Sequence, residues 1–140
     1  MNVPLYTTEI LRLAASLEER RELDREDGRA ELRSPTCGSR ILVSVQLDDE
    51  GRVGALSQKV HACAFGQASA ALLERGALGR SSADVEHSVE SLTGWLAGER
   101  EKPGDWPGLA ALAPARSRKS RHAAILLPFR ALLAALEQAK

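Results

Sequence analysis

Residues 41–51 read ILVSVQLDDEG, and this stretch decides the fold class of the chain. Its first half places an apolar side chain at every second position, which is the pattern of a β-strand with one buried face. The acidic run that follows ends in Gly51, which can adopt a positive φ, so residues 48–51 are predicted to form a turn. We expect residues 53–60 to return beside the first strand, antiparallel to it because the connection is short.

The segments on either side of this hairpin complete the predicted architecture. Residues 30–34 are a short candidate strand before it. Other segments have helical apolar spacing or helix-forming composition: residues 10–17, 64–75 and 82–97, and a last helix that begins within residues 117–120, contains Pro128 and runs to the C-terminus. This order of elements predicts an α+β fold, with a three-stranded antiparallel sheet covered by helices.

Single residues mark where some of these elements are expected to begin or end. Thr7 or Thr8 can cap the first helix, since a hydroxyl there can accept a hydrogen bond from a free helix N–H. Asp27–Gly28 has the composition of a turn. Gly76 follows a helix-forming segment, where a glycine in a left-handed conformation often ends the helix.

The composition indicates one soluble globular domain over residues 1–140. Hydrophobic residues make up 44% of the chain and aromatic residues 4%, and 19 Lys and Arg balance 19 Asp and Glu. Zero net charge and few aromatic side chains argue against a nucleic-acid partner. No apolar run is long enough to span a bilayer, and residues 1–10 lack the features of a secretion signal. We therefore expect a cytoplasmic protein without a membrane partner.

Two cysteines are too few for a disulfide framework, and cytoplasmic thiols stay reduced, so both are interpreted as free thiols or metal ligands. Cys37 follows Pro35 and precedes Gly38, which puts it in a loop just before a strand. Cys63 lies where a strand gives way to a helix, and the positive end of a helix dipole favours the thiolate that binds metal or accepts sulfur. Either thiol could instead be a small packed side chain.

His122 is the third candidate, at the predicted start of the last helix with basic residues around it. Neutral imidazole is a common metal ligand, but a histidine at this place could also be an ordinary surface residue. The sequence contains no C-x-x-C pair and no H-E-x-x-H motif. Spacing alone therefore gives little support to a metal site shared by Cys37, Cys63 and His122.

In their order along the chain, these residues resemble the U-type iron–sulfur cluster assembly scaffolds, the family of IscU, SufU and the N-terminal domain of NifU. The family's first cysteine stands in a P-x-C-G-D loop, which here reads PTCGS over residues 35–39. Its second follows a lysine in a strand-to-helix turn, which here reads KVHAC over residues 59–63. Its third opens the C-terminal helix, where this chain has KSRHAA over residues 119–124. The long gap between Cys63 and His122 is more similar to SufU than to IscU.

The resemblance implies the SufE/NifU-like fold and a role as a scaffold or sulfur carrier rather than a turnover enzyme. It implies that Cys37, Cys63 and His122 hold a 2Fe–2S cluster or zinc, and that Cys63 accepts sulfur. His122 stands where the family has its third cysteine, and Ser39 stands where it has an aspartate. The fourth ligand would then be His61, Ser39, water or a cysteine from a partner.

The implied partners are a cysteine desulfurase, which would deliver persulfide sulfur to Cys63 or Cys37, and acceptor apo-proteins that would take the cluster. The basic residues 116–121 would offer a docking surface to an acidic partner, or would be no more than a solvated helix start. Ser39 and His122 also fit a second hypothesis, a degenerate paralogue that binds no metal and acts as a protein-interaction module.

Overall fold

Three strands form one antiparallel sheet, in the order in which they occur along the chain. The computed structural model describes residues 6–18, 23–35 and 38–139. The strands are β1 Gly28–Arg33, β2 Arg40–Leu47 and β3 Val53–His61, in the spatial order β1-β2-β3. The turn after β2 contains Gly51 at a φ of 77°. The hairpin predicted from residues 41–51 is therefore confirmed.

Within the described residues, α-helices and one 3-10 helix accompany the sheet. They are α1 Thr8–Ala15, α2 Ala64–Gly76, α3 Ser82–Leu96 and α4 Lys119–Gln138, with the 3-10 helix Leu109–Ser117 between α3 and α4. The predicted α+β class is confirmed. Thr7 caps α1, because its hydroxyl accepts a hydrogen bond from the Ile10 N–H at 3.1 Å. No helix in the described part of the chain is both long and apolar enough to cross a membrane.

The sheet buries one face and leaves the other to solvent. Ile41, Val43 and Val45 are each at most 1% exposed, and α4 packs against the two strands β1 and β2. Helix α4 also contacts α2 and α3, so the core lies between the sheet and this helix. On the opposite face, which we call the outer face, every described side chain is exposed or half-buried. No described helix therefore covers the outer face.

Gly28 corrects one prediction, because it begins β1 opposite Val45 and does not form a turn with Asp27. A Cβ atom at Gly28 would collide with the carbonyl oxygen of Ala135 in α4 and would lie 2.7 Å from the Cβ of Ala139. The absence of a side chain therefore lets β1 approach the backbone of α4.

Gly76 corrects another prediction. It is the last residue of α2, and Ala77 after it still has right-handed helical dihedral angles, so no left-handed glycine ends this helix. A Cβ atom at Gly76 would lie 2.5 Å from Trp106 Nε1 and 2.8 Å from its Cε2. Gly76 is therefore required for packing, since it lets the Trp106 ring lie directly on the end of α2.

Ser81 and Asp84 cap the start of α3 reciprocally. The Ser81 hydroxyl accepts a hydrogen bond from the Asp84 N–H at 3.1 Å, and the Asp84 carboxylate accepts one from the Ser81 N–H at 3.0 Å. We expect Ser81→Ala to lower the free energy of unfolding by about 1 kcal/mol, because it removes one of these bonds. Urea denaturation measures the change, with Ser82→Ala as the adjacent control. An equal loss in both variants would contradict the assignment.

The same cap makes the free energy of unfolding depend on pH in the acidic range. The Ser81 N–H lowers the pKa of Asp84, and Arg52, 3.1 Å from the carboxylate, lowers it further. The folded protein thus favours the ionised carboxylate, whose contribution is complete above the ordinary aspartate pKa of about 4 and is lost as pH falls through the lowered value. We expect Asp84→Asn to be less stable than the wild type at pH 7. Urea denaturation at pH 3 should show a smaller difference in free energy of unfolding between Asp84→Asn and the wild type. A difference equal to that at pH 7 would contradict this explanation.

Candidate functional site

A cavity of about 810 Å³ opens at one end of the sheet. It lies where the connection between β1 and β2 meets the turn from β3 into α2. Residues from both segments line it, among them Gly38, Ser39, Arg40, Lys59, His61 and Cys63. We call it the sheet-end cavity. Several residues predicted from the sequence as site residues therefore share one cavity.

Cys63 lies at the N-cap of α2, as its position between a strand and a helix predicted. Its φ of −66° and ψ of 173° are extended, so the helical conformation begins only after this residue. The Cys63 side chain makes no capping hydrogen bond, and the thiol is free and half-buried. A free thiol at the wall of a cavity can be reached by a reactant from solution.

His61 and Ser39 line the same cavity from different elements. β3 ends at His61, so His61 and Cys63 are not neighbours along one strand face, yet both contribute to the cavity wall. Ser39 is 3% exposed and precedes β2. Its carbonyl oxygen accepts a hydrogen bond from the Ser34 N–H at 2.8 Å, which closes the β1–β2 connection.

Cys37 lies outside the described residues. Its neighbour in the sequence, Gly38, lines the sheet-end cavity, has a φ of 72°, and donates its N–H to the Ser34 carbonyl at 3.0 Å. The proposed pairing of Cys37 with Cys63 at one metal stays a prediction. Among the described residues, no three His, Cys, Asp or Glu side chains are placed where they could hold a metal ion together.

His122 lies in the first turn of α4, and its ring contacts the 3-10 helix. Its Nε2 is 2.9 Å from the carbonyl oxygen of Ala115 and 3.2 Å from that of Arg116. Because both neighbours are acceptors, Nε2 carries the proton and donates, which leaves Nδ1 of the neutral ring with its lone pair. His122 could therefore bind a metal through Nδ1 alone. It is not among the residues that line the sheet-end cavity.

The start of α4 nevertheless packs against the turn that holds Cys63. A Cβ atom at Gly66 in α2 would lie 2.6 Å from the Cβ of Ala62 and 3.5 Å from that of Ala124. The Ser69 hydroxyl donates a hydrogen bond to the Ile125 carbonyl at 2.6 Å. The first turns of α2 and α4 are thus held close together. A site shared by the Cys63 and His122 side chains stays a prediction.

The basic residues 116–121 were interpreted as a docking surface, and the structure changes that interpretation for Arg116. Its guanidinium donates to the carbonyl oxygens of Trp95 at 2.9 Å and Arg100 at 3.2 Å, and it lies 5.1 Å from the centre of the Trp95 ring. Arg116 therefore ties the 3-10 helix to the end of α3. Arg118 and Lys119 remain exposed.

Sequence reasoning missed the charge of the cavity wall. Arg29, Arg40 and Lys59 line the cavity beside one carboxylate, Glu31. These residues belong to three different strands, so they come together only through the register of the sheet. The alternation in β3 was the available signal, because it puts Lys59 on the face opposite the buried side chains.

Comparison with solved structures identifies similar proteins. A nitrogen-fixing NifU-like protein (N-terminal) from Brucella abortus superposes with a TM-score of 0.88 at 29% identity, over 96% of this chain and 94% of that one. A protein from Fervidobacterium islandicum AW-1, described as an iron–sulfur cluster assembly scaffold for the SUF system, has a TM-score of 0.84 at 16% identity, over 94% and 96%. At 16% identity, the similarity to the second protein shows only a shared fold. No family model and no curated protein sequence matches the chain.

Proposed function

Because a NifU-like N-terminal domain superposes on this chain at 29% identity over nearly all of both chains, we propose that the chain is a U-type iron–sulfur cluster assembly scaffold, which accepts sulfur and assembles or carries iron–sulfur clusters. The free thiol of Cys63 carries this proposal, since it lies at the N-cap of α2 and lines an open cavity. The cavity is also lined by Gly38, the neighbour of Cys37 in the sequence. A free thiol beside an open cavity is what sulfur delivery from a partner protein requires.

In the proposed reaction, a cysteine desulfurase presents a persulfide and Cys63 accepts its outer sulfur. The Cys63 thiolate attacks that sulfur, a new S–S bond forms at Cys63, and the S–S bond of the donor breaks. The donor cysteine leaves as a thiolate, so no external oxidant or reductant is needed. Cluster assembly then requires a two-electron reduction of this sulfur by an electron-donor protein, which breaks the S–S bond, returns Cys63 to a thiolate and releases sulfide to combine with iron. The resulting cluster is the cargo passed on to acceptor apo-proteins.

The proposed ligands are Cys37, Cys63 and His122, with His61 or Ser39 as a further candidate. Thiolate and imidazole bind both zinc and iron–sulfur clusters, so the donor chemistry fits either a 2Fe–2S cluster or zinc. Zinc, when bound, would hold its coordinating thiols as thiolates. On the protein side, the hydrogen bonds from His122 Nε2 fix the imidazole so that Nδ1 is its ligating atom.

Mass spectrometry after incubation with a cysteine desulfurase and L-cysteine tests this function. We expect the wild type to gain sulfur at Cys63, and Cys63→Ser to lose that modification because a hydroxyl cannot form a persulfide. Cys37→Ser serves as the matched control, since it removes the other thiol of the chain. The proposal is wrong if neither thiol of the wild type gains sulfur and anaerobically purified protein binds neither iron nor zinc.

A second candidate function is a protein-interaction module that binds no metal. One observation favours it, namely that the His122 ring is already engaged by the carbonyls of Ala115 and Arg116 and so has a structural use without a metal. Metal analysis separates the two functions, because only the first predicts that substitution of His122 by alanine lowers the iron or zinc content.

A further inference from the structure

The outer face of the sheet carries a concentration of positive charge at the end next to Cys63. Arg33, Arg40 and His61 lie directly opposite one another across the three strands. Lys59 occupies the next position on the same face of β3. Arg29 lines the same cavity from the other half of β1, opposite Ser44. We call Arg33, Arg40, Lys59 and His61 the basic sheet end.

Little of this charge is neutralised within the protein. Glu31 lines the cavity and pairs with Arg33 at 3.3 Å. Among the described residues, neither Arg40 nor Lys59 forms an ion pair, and both side chains are exposed. Like charges directly opposite one another on neighbouring strands destabilise a sheet, so folding alone does not account for this arrangement.

The far end of the same sheet has the opposite charge. The turn after β2 and the segment before β1 supply the exposed carboxylates Asp24, Glu26, Asp48, Asp49 and Glu50. Two carboxylates there are paired, Asp27 with Arg25 at 2.9 Å and Glu50 with Arg52 at 3.8 Å. The chain has no net charge, yet its sheet is polarised along the strands, positive towards Cys63 and negative away from it.

A polarised surface selects both the partner and its orientation. An acidic partner is attracted to the basic sheet end and repelled by the far end, which raises the rate of association and aligns the partner with Cys63. Arg118 and Lys119 are also exposed cations, but they precede or begin α4 and lie outside the sheet. Reversing the charge of the basic sheet end and reversing that of Arg118 and Lys119 are therefore expected to change the rate of association with the partner by different amounts.

We propose that the basic sheet end docks an acidic segment of the protein that donates sulfur to Cys63. This inference rests on the proposed function, because it assigns a partner surface to the same site. Charge complementarity supports the assignment, since Arg29, Arg40 and Lys59 face one cavity with only Glu31 of opposite sign in its described wall.

The test compares two double variants with the same change in charge. Arg40→Glu/Lys59→Glu reverses the basic sheet end, and Arg118→Glu/Lys119→Glu is the matched control. The probe is the cysteine desulfurase encoded in the same genome, and its association rate is measured at low and at physiological salt. We expect the first variant to associate about tenfold more slowly at low salt, with the difference reduced by salt, and the control to change less than about twofold. Thermal unfolding checks that both variants fold.

Several outcomes would overturn the proposal. Equal effects of the two variants, a larger effect of the control, or no binding of the desulfurase to the wild type would each do so. Salt-sensitive self-association of the wild type, lost in Arg40→Glu/Lys59→Glu, would assign the surface to the acidic end of a second copy. Measuring persulfide formation in the same samples distinguishes failure of the docking surface from failure of the proposed function. If the desulfurase binds as expected but neither thiol gains sulfur and the purified protein binds neither iron nor zinc, the proposed function fails while the docking surface stands.

Discussion

Replacing Trp106 with alanine is expected to lower the free energy of unfolding by about 4 kcal/mol, the largest loss among the stability changes considered. The ring is 2% exposed, meets Phe129 edge to face with centroids 5.0 Å apart, and lies under the Arg80 guanidinium at 4.5 Å. Its Nε1–H donates to the carbonyl oxygen of Leu72 at 2.8 Å. Alanine would remove all of these contacts and leave a cavity between α2 and α4.

Chemical denaturation of Trp106→Ala and Trp106→Phe distinguishes the contribution of the ring to stability from that of its hydrogen bond. We expect Trp106→Phe to lose less free energy of unfolding than Trp106→Ala, because it keeps an aromatic ring in the core. Some loss remains, since the Leu72 carbonyl no longer has its indole donor. Leu78→Ala is the control for an exposed apolar residue, since Leu78 is 65% exposed. A loss below about 1 kcal/mol for Trp106→Ala would contradict its role as an anchor of the segment before α4.

The second large effect is expected for Gly28→Ala, with a loss of about 3 kcal/mol. The added methyl group would meet the Ala135 carbonyl oxygen and the Ala139 side chain, so β1 and α4 would have to separate. The Ala135 carbonyl accepts a hydrogen bond from the Ala139 N–H at 3.1 Å in the last turn of α4, so it cannot move aside as a flexible side chain can. The loss should therefore exceed that of an ordinary surface substitution.

Glu31→Ala is the matched control for Gly28→Ala, because Glu31 lies in the same strand with its side chain exposed. We expect the control to change stability by less than about 0.5 kcal/mol. Urea denaturation followed by circular dichroism measures both. Equal stability of Gly28→Ala and the wild type would show that the close approach of β1 to α4 is not required.

The sequence was sufficient to predict those elements that depend on local pattern. The alternation in residues 41–47 predicted β2, and Gly51 predicted the turn after it, because both signals act within a few residues. Gly28 and Gly76 were misinterpreted for the same reason. Their roles depend on Ala135 and Trp106, which are distant in the sequence, so turn preferences could not predict them.

In the candidate site, too, the sequence predicted the local features but not those that depend on distant residues. The position of Cys63 at a strand-to-helix boundary is a local property, and the sequence predicted it. The engagement of His122 Nε2 and the use of Arg116 to bind carbonyls both depend on the 3-10 helix, where the sequence showed only a short apolar piece. The polarity of the sheet becomes visible only when the register places Arg33, Arg40 and His61 in one row.

The uncovered outer face of the sheet has a consequence for how such proteins diverge. Arg40 and Lys59 are exposed and lie outside the hydrophobic core, whereas Gly28 and Trp106 are closely packed against their neighbours. Mutations can therefore accumulate on this face without loss of foldability. Substitutions at Arg40 and Lys59 would therefore change which partners the surface attracts while the fold that positions Cys63 is kept.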